Sequence, residues 1–179
     1  MTLKPWKILE SHHIHEHVRI DTCELSNGKV IDGFVVEFGP WVTIVAITKD
    51  QQVVMVRQYR HGAQKVLLEL PGGAMDSQDE NPQQAARREL LEETGYTCEK
   101  IIQIGCVYPN PANQTNQIYS FLALDVEKVG SQNLDETEEI EVELQPLEAV
   151  IAMAKKGELL QSMQVSAMFF ALAYLDRIA

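Results

Sequence analysis

The sequence is poor in basic residues and contains no long apolar run. Among its 179 residues there are 15 Lys or Arg against 26 Asp or Glu, which gives a net charge of −11. Such an excess of negative charge argues against a general surface for nucleic acid or anionic membranes. The longest apolar stretch, residues 163–175, is interrupted by Gln164 and Ser166 and is too short to span a bilayer. We therefore expect neither a nucleic-acid nor a membrane partner. A phosphorylated small molecule bound through a metal ion remains compatible with this charge.

Cysteine is also scarce. The three cysteines, Cys23, Cys98 and Cys106, are odd in number and show no Cys-x-x-Cys spacing, so reduced thiols in a cytoplasm are the simplest account. Residues 1–13 lack the apolar run of a signal peptide, and we expect a cytoplasmic protein. A hydrophobic content of 45% over this length predicts one domain with a sizeable core, or a core with a small extension.

The order of patterns along the chain predicts the fold class. Residues 6–38 alternate like strands around a hairpin turn at 26–29, and a small sheet of this kind is marginal alone. We expect it to pack on the rest of the chain or on a second copy. Further strands are expected near 41–48, 53–59, 67–70, 99–107, 116–125 and 140–144, and helices over 81–94, 146–156 and 159–178. The last helix is expected to be mostly buried, with one face made of Met163, Ala167, Phe170, Ala171 and Tyr174. This mixture predicts an α/β sandwich, in which a mixed sheet has helices on both faces.

The most informative segment is a glycine-rich turn that leads into an acidic helix. Residues 71–96 read PGGAMDSQDENPQQAARRELLEETGY. Asn81 and Pro82 are typical of a helix start, and Gly95 is typical of the position just past a helix end. The glycines before the helix allow a bare backbone carbonyl to approach whatever the helix binds.

Three glutamates crowd one face of this helix. Glu89, Glu92 and Glu93 are three or four positions apart, and Arg88 can brace Glu92 from the i,i+4 position. At about 5 Å and an effective dielectric of ~20, each carboxylate pair costs on the order of 3 kcal/mol. A solvated acidic face is the alternative interpretation, but these anions lie in the last turns, where the helix dipole disfavours them. A hard cation such as Mg²⁺ or Mn²⁺, bound with the Gly72 carbonyl, explains the pattern better.

This segment resembles the Nudix box, in which Gly, five residues, Glu and seven residues precede Arg-Glu, an aliphatic residue, any residue, Glu-Glu, any residue, Gly and an aliphatic or aromatic residue. The spacing fits from Glu80 to Tyr96. Six residues, not five, separate Gly73 from Glu80. Either Ala74 occupies the glycine position or the loop carries one extra residue, and Asp79 could partly replace Glu80.

The flanking segments resemble one branch of the Nudix family. The runs VVMVRQYRHG and LLELPGG, at 53–62 and 67–73, are similar to enzymes that cleave ADP-ribose and other nucleoside diphosphate sugars. In that branch an N-terminal sheet often exchanges between the subunits of a homodimer. The resemblance therefore implies an extension over 1–40, which could be exchanged in a homodimer, and a Nudix-type α-β-α sandwich over 41–179.

Two groups of residues are candidates for binding substrate. Arg60 ends a strand that points at the glycine turn, where its guanidinium could bind a diphosphate in a bidentate manner. The alternative is a surface arginine at a strand end. Arg57 is a weaker candidate, because strand alternation can pair it with an acidic residue. The loop 108–116 is rich in turn formers and amides. Asn113 and Gln114 could contact a base or sugar there, and a plain rigid connection is an equal alternative.

A second acidic patch occupies residues 135–139. In isolation it is a solvated loop, but in similar Nudix enzymes a Glu of the corresponding loop reaches the metals or deprotonates the attacking water. The resemblance implies that Glu136 is the base and Glu138 a supplementary ligand. Histidines are clustered at positions 12, 13, 15 and 17, and we interpret them as a polar strand face rather than a transition-metal site.

These observations together predict metal-assisted hydrolysis of a diphosphate bond, with ADP-ribose as the first candidate substrate and GDP-mannose-type sugars next. Two other functions stay open: a hydrolase that clears nucleoside triphosphates, and a nucleotide-sugar sensor without turnover. The predicted catalytic residues are Arg88, Glu92 and Glu136. The predicted ligands of Mg²⁺ or Mn²⁺ are Gly72, Glu89, Glu92, Glu93 and Glu138, and the predicted substrate contacts are Arg57, Arg60, Asn113 and Gln114.

Overall fold

The computed structural model describes residues 4–178. The chain folds into two compact units. The first consists of the described part of Met1–Gly39 together with Tyr108–Gln117, and the second consists of Pro40–Val107 with the described part of Ile118–Ala179. Residues 108–117, which connect two strands of the second unit, thus group with the first, and the sequence did not indicate this grouping.

The first unit is a three-stranded antiparallel sheet. Its strands β1 (Lys7–His15), β2 (Val18–Glu24) and β3 (Val30–Val36) lie in the order β1-β2-β3. The predicted hairpin turn connects β2 to β3, and Gly28 adopts the left-handed conformation there with φ 78°. The segment 108–117 joins β3 through hydrogen bonds that its backbone makes to both the N–H and the carbonyl of Val36.

Polar side chains cover part of this sheet. Asp21 is buried and accepts hydrogen bonds from Arg19 and Ser11, while Arg19 also binds Glu37. His13 pairs with Glu37 at 2.6 Å. Among the described residues of the histidine cluster, only His13 has an ion-pair partner. It belongs to this polar network on the strands.

A mixed seven-stranded sheet forms the centre of the second unit. Its main path runs β10-β5-β4-β9-β7, with β6 paired to β5 and β8 paired to β9. The β4–β9 pairing is parallel and the remaining pairings are antiparallel. The strands are β4 (Trp41–Thr48), β5 (Gln52–Arg60), β6 (Lys65–Glu69), β7 (Tyr96–Thr97), β8 (Ile101–Val107), β9 (Ile118–Lys128) and β10 (Ile140–Pro146).

Helices cover both faces of this sheet because its central strands are apolar on both sides. Helix α1 (Pro82–Thr94) packs in a core with Val42, Ile44 and Ala46 of β4. Helices α2 (Leu147–Lys156) and α3 (Ser162–Tyr174) pack in a second core with Val45 and Ile47, which point to the opposite face. The predicted α/β sandwich with a mixed sheet and a small antiparallel sheet is confirmed.

The last helix differs from its prediction. It covers Ser162–Tyr174 rather than 159–178, and its buried residues are Gln164, Ala167, Met168 and Ala171. Tyr174, which the apolar pattern places in the core, is half exposed. The buried face of the helix is rotated relative to the predicted face. It includes Gln164, a polar residue that hydrophobic periodicity assigns to solvent. Within residues 4–178, no helix has the length and apolar character needed to cross a membrane.

Candidate active site

Helix α1 is fixed at both ends by its own sequence. The Asn81 side chain accepts a hydrogen bond from the Gln84 N–H at 3.0 Å, and Pro82 begins the helix. Gly95 ends it in the left-handed conformation with φ 72°, and its N–H binds the Leu91 carbonyl. These caps fix which residues of the last turns face the sheet.

Glu93 is buried against the glycine turn. Only 3% of its surface is exposed, and its Oε2 accepts a hydrogen bond from the Gly72 N–H at 2.8 Å. Burial raises the pKa of Glu93 to about 8, with smaller increases from the charges of Glu89 and Glu138. The Gly72 hydrogen bond and the charge of Arg60 oppose this shift but do not cancel it.

Glu89 lies beside Glu93 on the same turn. It is 8% exposed, and burial is the main cause that raises its pKa to about 7. A Cβ atom at Gly73 would come within 2.7 Å of the Glu89 Oε1 atom, so a larger residue there would displace the carboxylate. Gly72 has φ 152°, and a Cβ atom there would overlap the Val42 carbonyl. Gly72 is therefore required by the backbone geometry, and Gly73 lets the Glu89 carboxylate keep its position.

Arg88 organises the remaining acidic groups. Its guanidinium binds Asp79 through two hydrogen bonds of 2.9 and 3.2 Å, Glu92 at 2.9 Å, and the Ala74 carbonyl at 3.1 Å. This pairing lowers the pKa of Asp79 and raises that of Arg88. The same guanidinium nitrogen also contacts Glu89 Oε1 at 3.0 Å, so Glu89 and Glu92 share Arg88, while Glu93 binds the Gly72 N–H instead.

The second acidic loop is anchored to the end of α1. The Gln132 side chain donates hydrogen bonds to the carbonyls of Glu93, at 2.7 Å, and Ile140, while the Asn133 N–H binds the Glu92 carbonyl. Glu138 accepts a hydrogen bond from the Asp135 N–H. Its charge contributes to the raised pKa of both Glu89 and Glu93.

The other predicted residues occupy different environments. Glu136 is exposed on the turn of this loop. Arg57 pairs with Glu143 of β10, as strand alternation allows. Asn113 and Gln114 belong to the first unit, where Asn113 bonds to Asn110 and to the Val36 N–H. Their role in binding a base or sugar stays a prediction.

Arg60 forms an ion pair with the buried carboxylate of Glu69. It binds Glu69 Oε2 through Nε at 2.9 Å and Nη2 at 2.7 Å, and its charge lowers the pKa of Glu93. Glu69 is fully buried, and its second oxygen has no hydrogen-bond partner among the described residues. Two of the five guanidinium N–H groups are used by Glu69, so donors remain for a ligand.

A cavity of about 440 Å³ opens beside the glycine turn. Its lining includes Arg60, Gly72 and Gly73 together with Trp41, Gln161 and Met163. Gln164 of α3 is buried at its edge and binds the backbone of Leu70 at both the N–H and, more weakly at 3.4 Å, the carbonyl. The start of α3 is thereby tied to the strand end that precedes Pro71-Gly72-Gly73.

Comparison with known proteins identifies the family. Residues 38–163 match the family model described as the NUDIX domain. The chain belongs to the Nudix family. As a member with pyrophosphatases among its relatives, it is a hydrolase that acts on phosphorus-containing anhydrides.

Two curated relatives and one solved structure illustrate the similarity. The ADP-ribose pyrophosphatase of Bacillus subtilis (strain 168) is 31% identical over 140 residues, which cover 78% of this chain and 75% of the relative. The GDP-mannose pyrophosphatase of Salmonella arizonae is 33% identical over 172 residues, which cover 89% of this chain and 88% of the relative. A crystal structure of an ADP compounds hydrolase superposes with a TM-score of 0.84 at 23% identity, covering 99% of this chain and 100% of the other, and supports the same fold.

The structure clarifies how this chain departs from the Nudix box. Asp79, not Glu80, pairs with Arg88, and Glu80 is exposed. Five residues separate Gly73 from Asp79, which is the spacing the box requires between its glycine and its first acidic residue. The additional residue therefore lies after the acidic position, at the start of the helix.

The donor set fits a hard divalent cation. Within residues 4–178, no three His, Cys, Asp or Glu side chains are grouped so that they could hold a metal ion by themselves. Mg²⁺ does not require such a cage, because it usually keeps several waters and uses one or two carboxylates together with substrate phosphates. Two buried carboxylates with raised pKa values, Glu89 and Glu93, supply this kind of site.

Sequence reasoning missed two residues that shape the site. Gln132 and Gln164 each connect distant segments through hydrogen bonds of their side-chain amides, which are partly buried for Gln132 and buried for Gln164. Neither belongs to a motif, and no signal in a single sequence separates them from surface glutamines. Asp79 carried a signal, since its spacing from Gly73 matches the box.

Proposed function

We propose that this chain uses Mg²⁺ or Mn²⁺ to hydrolyse the diphosphate bond of a nucleoside diphosphate sugar, with a nucleoside monophosphate and a sugar phosphate as products. The observation that carries the proposal is the buried pair Glu89 and Glu93, held against the Gly72–Gly73 turn beside a cavity of about 440 Å³. Two carboxylates with so little access to water favour a bound divalent cation.

Glu89, Glu93 and the Gly72 carbonyl would hold the ion, with Glu92 and Glu138 as further oxygen ligands. When bound, a divalent ion neutralises diphosphate charge and lowers the pKa of a coordinated water. Arg88 orients the carboxylates of Glu89 and Glu92, which it contacts at 3.0 and 2.9 Å. Arg60 binds the diphosphate with the N–H groups that Glu69 leaves available.

Glu136 is the proposed general base, since it is an exposed carboxylate on the loop that Gln132 anchors to α1. Its role is to accept the proton of the attacking water. Glu136→Gln and Glu138→Gln measured at saturating Mg²⁺ would test the loop. Unchanged rates for both variants would remove it from the mechanism.

The names of the relatives guide the choice of substrate. ADP-ribose is the first candidate and GDP-mannose the second, because pyrophosphatases named for these compounds resemble the chain over most of its length. We further propose a cytoplasmic homodimer that associates through the sheet of residues 1–40, with residues 41–179 as the hydrolase domain. Free thiols at Cys23, Cys98 and Cys106 support a reducing compartment.

The test is product release, with Mg²⁺ and with chelator, across ADP-ribose, GDP-mannose, UDP-glucose, diadenosine polyphosphates and nucleoside triphosphates. We expect Mg²⁺-dependent turnover of one diphosphate sugar well above the rest. Preference for a triphosphate would move the chain to nucleotide-pool clearance. Absence of Mg²⁺-dependent turnover on every compound would contradict the proposed hydrolysis.

A further inference from the structure

We propose that the cavity beside the Gly72–Gly73 turn is the subsite for the sugar half of the substrate, and that Gln161 and Met163 determine which sugar is accepted. The inference rests on the proposed function and assigns the part of the site that holds the group beyond the diphosphate. All residues that carry it belong to the second unit.

The position of the cavity supports this assignment. Its lining includes Arg60, Gly72 and Gly73, the residues that border the proposed diphosphate and metal positions. A diphosphate bound there would direct one of its two substituents into the cavity. Its volume of about 440 Å³ falls within the range of about 300–1,000 Å³ that is usual for small-molecule sites.

The chemistry of the wall favours a neutral polyhydroxyl group. Arg60 is the only charged residue among the described residues that line the cavity, and it is already paired with Glu69. The Gln161 side-chain oxygen accepts a hydrogen bond from Gln164 Nε2 at 2.9 Å, and its NH₂ group can donate to a sugar hydroxyl. Trp41, Ile118 and Met163 add apolar surface for the C–H faces of a ring.

Thr43 adds a second polar group to the same wall. It is 4% exposed and its hydroxyl oxygen has no hydrogen-bond partner among the described residues. A buried hydroxyl without a partner is costly, and a ligand hydroxyl would relieve that cost after a small local adjustment. A buried polar group without a protein partner normally binds a water or a ligand, and Thr43 lies where a ligand hydroxyl could take that place.

The charge of the residues that line the cavity is also relevant to the alternative function, hydrolysis of nucleoside triphosphates. A third phosphate placed in this cavity would bring additional negative charge, and among the described residues no further cation lies on the wall to offset it. The cavity should therefore favour a diphosphate with a neutral substituent over a nucleoside triphosphate.

Product inhibition separates the two halves of the substrate. We would fill the cavity with Met163→Trp and remove its amide with Gln161→Ala. The probes are ribose 5-phosphate and mannose 1-phosphate for the sugar half, and AMP and GMP for the nucleoside half. Leu160→Trp is the matched control, because Leu160 is 64% exposed and does not line the cavity.

We expect both cavity variants to weaken inhibition by the effective sugar phosphate by about tenfold or more, with inhibition by the nucleoside monophosphate nearly unchanged. Leu160→Trp should behave like the wild type. Melting temperatures near that of the wild type would show that the variants are folded. If Met163→Trp does not fold, Gln161→Ala alone provides the test.

Three results would overturn the assignment. Weakened inhibition by AMP or GMP alone would place the nucleoside in the cavity. Unchanged inhibition by both classes would remove the cavity from the substrate site, and a wild-type enzyme that no sugar phosphate inhibits would do the same. Failure of the proposed hydrolysis is recognised separately, because the wild type would then turn over no diphosphate sugar.

Discussion

At the scale of single residues, the site depends on two carboxylates that the fold keeps away from water. Glu93 and Glu89 are 3% and 8% exposed, and burial is the main cause that raises the pKa of each. Helix spacing predicts that both face the same way, but it cannot distinguish them from Glu92. The distinction is one of burial, because Arg88 contacts both Glu89 and Glu92 but the side chain of Glu92 stays 36% exposed.

Replacement of Glu93 by Gln should nearly abolish hydrolysis while it stabilises the metal-free protein. Loss of an outer hydrogen-bond partner of a metal site usually costs about 10–100-fold, so loss of a ligand should lower kcat by at least about 100-fold. The glutamine oxygen can still accept the hydrogen bond from the Gly72 N–H, so the fold should persist. Activity at saturating Mg²⁺ is the measurement, and a rate near that of the wild type would refute the metal assignment.

The stabilisation of this variant should depend on pH. The folded protein raises the pKa of Glu93 from 4.5 to about 8, so it binds this proton more tightly than the unfolded chain does. The contribution to stability is present below pH 4.5 and is lost as the pH rises toward about 8. In chelator, Glu93→Gln should therefore raise the melting temperature increasingly between about pH 5 and about pH 8. If the difference in melting temperature between the variant and the wild type stays constant across this pH range, burial does not raise the pKa of Glu93.

Asp79 and its neighbour Glu80 form a natural pair for comparison. Asp79 binds Arg88 in two places and has a side chain that is 2% exposed, whereas Glu80 is exposed. Asp79→Ala should lower kcat by about 10–100-fold, because Arg88 would no longer be held in position. Glu80→Ala should change it by less than about twofold. The opposite order in steady-state assays would mean that Glu80 occupies the acidic position of the box in solution.

At the scale of elements, local signals predicted helix α1 and long-range contacts decided α3. The caps of α1 are encoded by Asn81, Pro82 and Gly95, and its predicted bounds differ from the observed ones by one residue. Helix α3 has no side-chain cap, and its orientation depends on a hydrogen bond between Gln164 and Leu70, which are 94 positions apart. Periodicity cannot detect such a bond, because it reads only neighbours along the chain.

Gln164 should act as a positioning residue for the glycine turn. Gln164→Met keeps the length of the side chain but leaves the N–H and carbonyl of Leu70 without their buried partner. We expect a loss of about 1–3 kcal/mol in the free energy of unfolding. The Mg²⁺ concentration for half-maximal activity should also rise, by about tenfold or more, since Gly72 would no longer be held against Glu93.

Ser166→Ala on the same helix provides the control for this variant. Its hydroxyl donates a hydrogen bond to the Ser162 carbonyl one turn earlier, so both the stability and the Mg²⁺ dependence should stay near those of the wild type. A Gln164→Met enzyme that loses stability yet keeps the wild-type Mg²⁺ dependence would restrict Gln164 to a structural role.

At the scale of the whole molecule, the first unit exposes more apolar surface than a small sheet should leave in water. Trp6, Ile8, Ile14, Val30 and Phe34 are each more than half exposed. Contiguous apolar patches on monomers are usually limited to a few hundred Å², and larger ones mark association surfaces. The resemblance to Nudix enzymes that exchange this sheet suggested an association, and we expect the face of β3 that carries Val30 and Phe34 to take part in it.

The full-length chain should be a dimer at micromolar concentration, and Phe34→Glu should shift it toward monomer. The substitution places a charge on β3 in each copy, where burial against a second copy would remove that charge from water. Sedimentation velocity over a concentration series is the measurement.

Phe169→Glu is the matched control, because Phe169 is 56% exposed on α3 and Phe34 is 53% exposed on β3. Glutamate is a good helix former, so this change should not disturb α3. If Phe169→Glu breaks the dimer and Phe34→Glu does not, the copies associate through α3, and the sheet of the first unit is not the interface. A wild-type chain that sediments as a monomer would leave the exposed side chains of this sheet without a partner, and the proposed association would have to be abandoned.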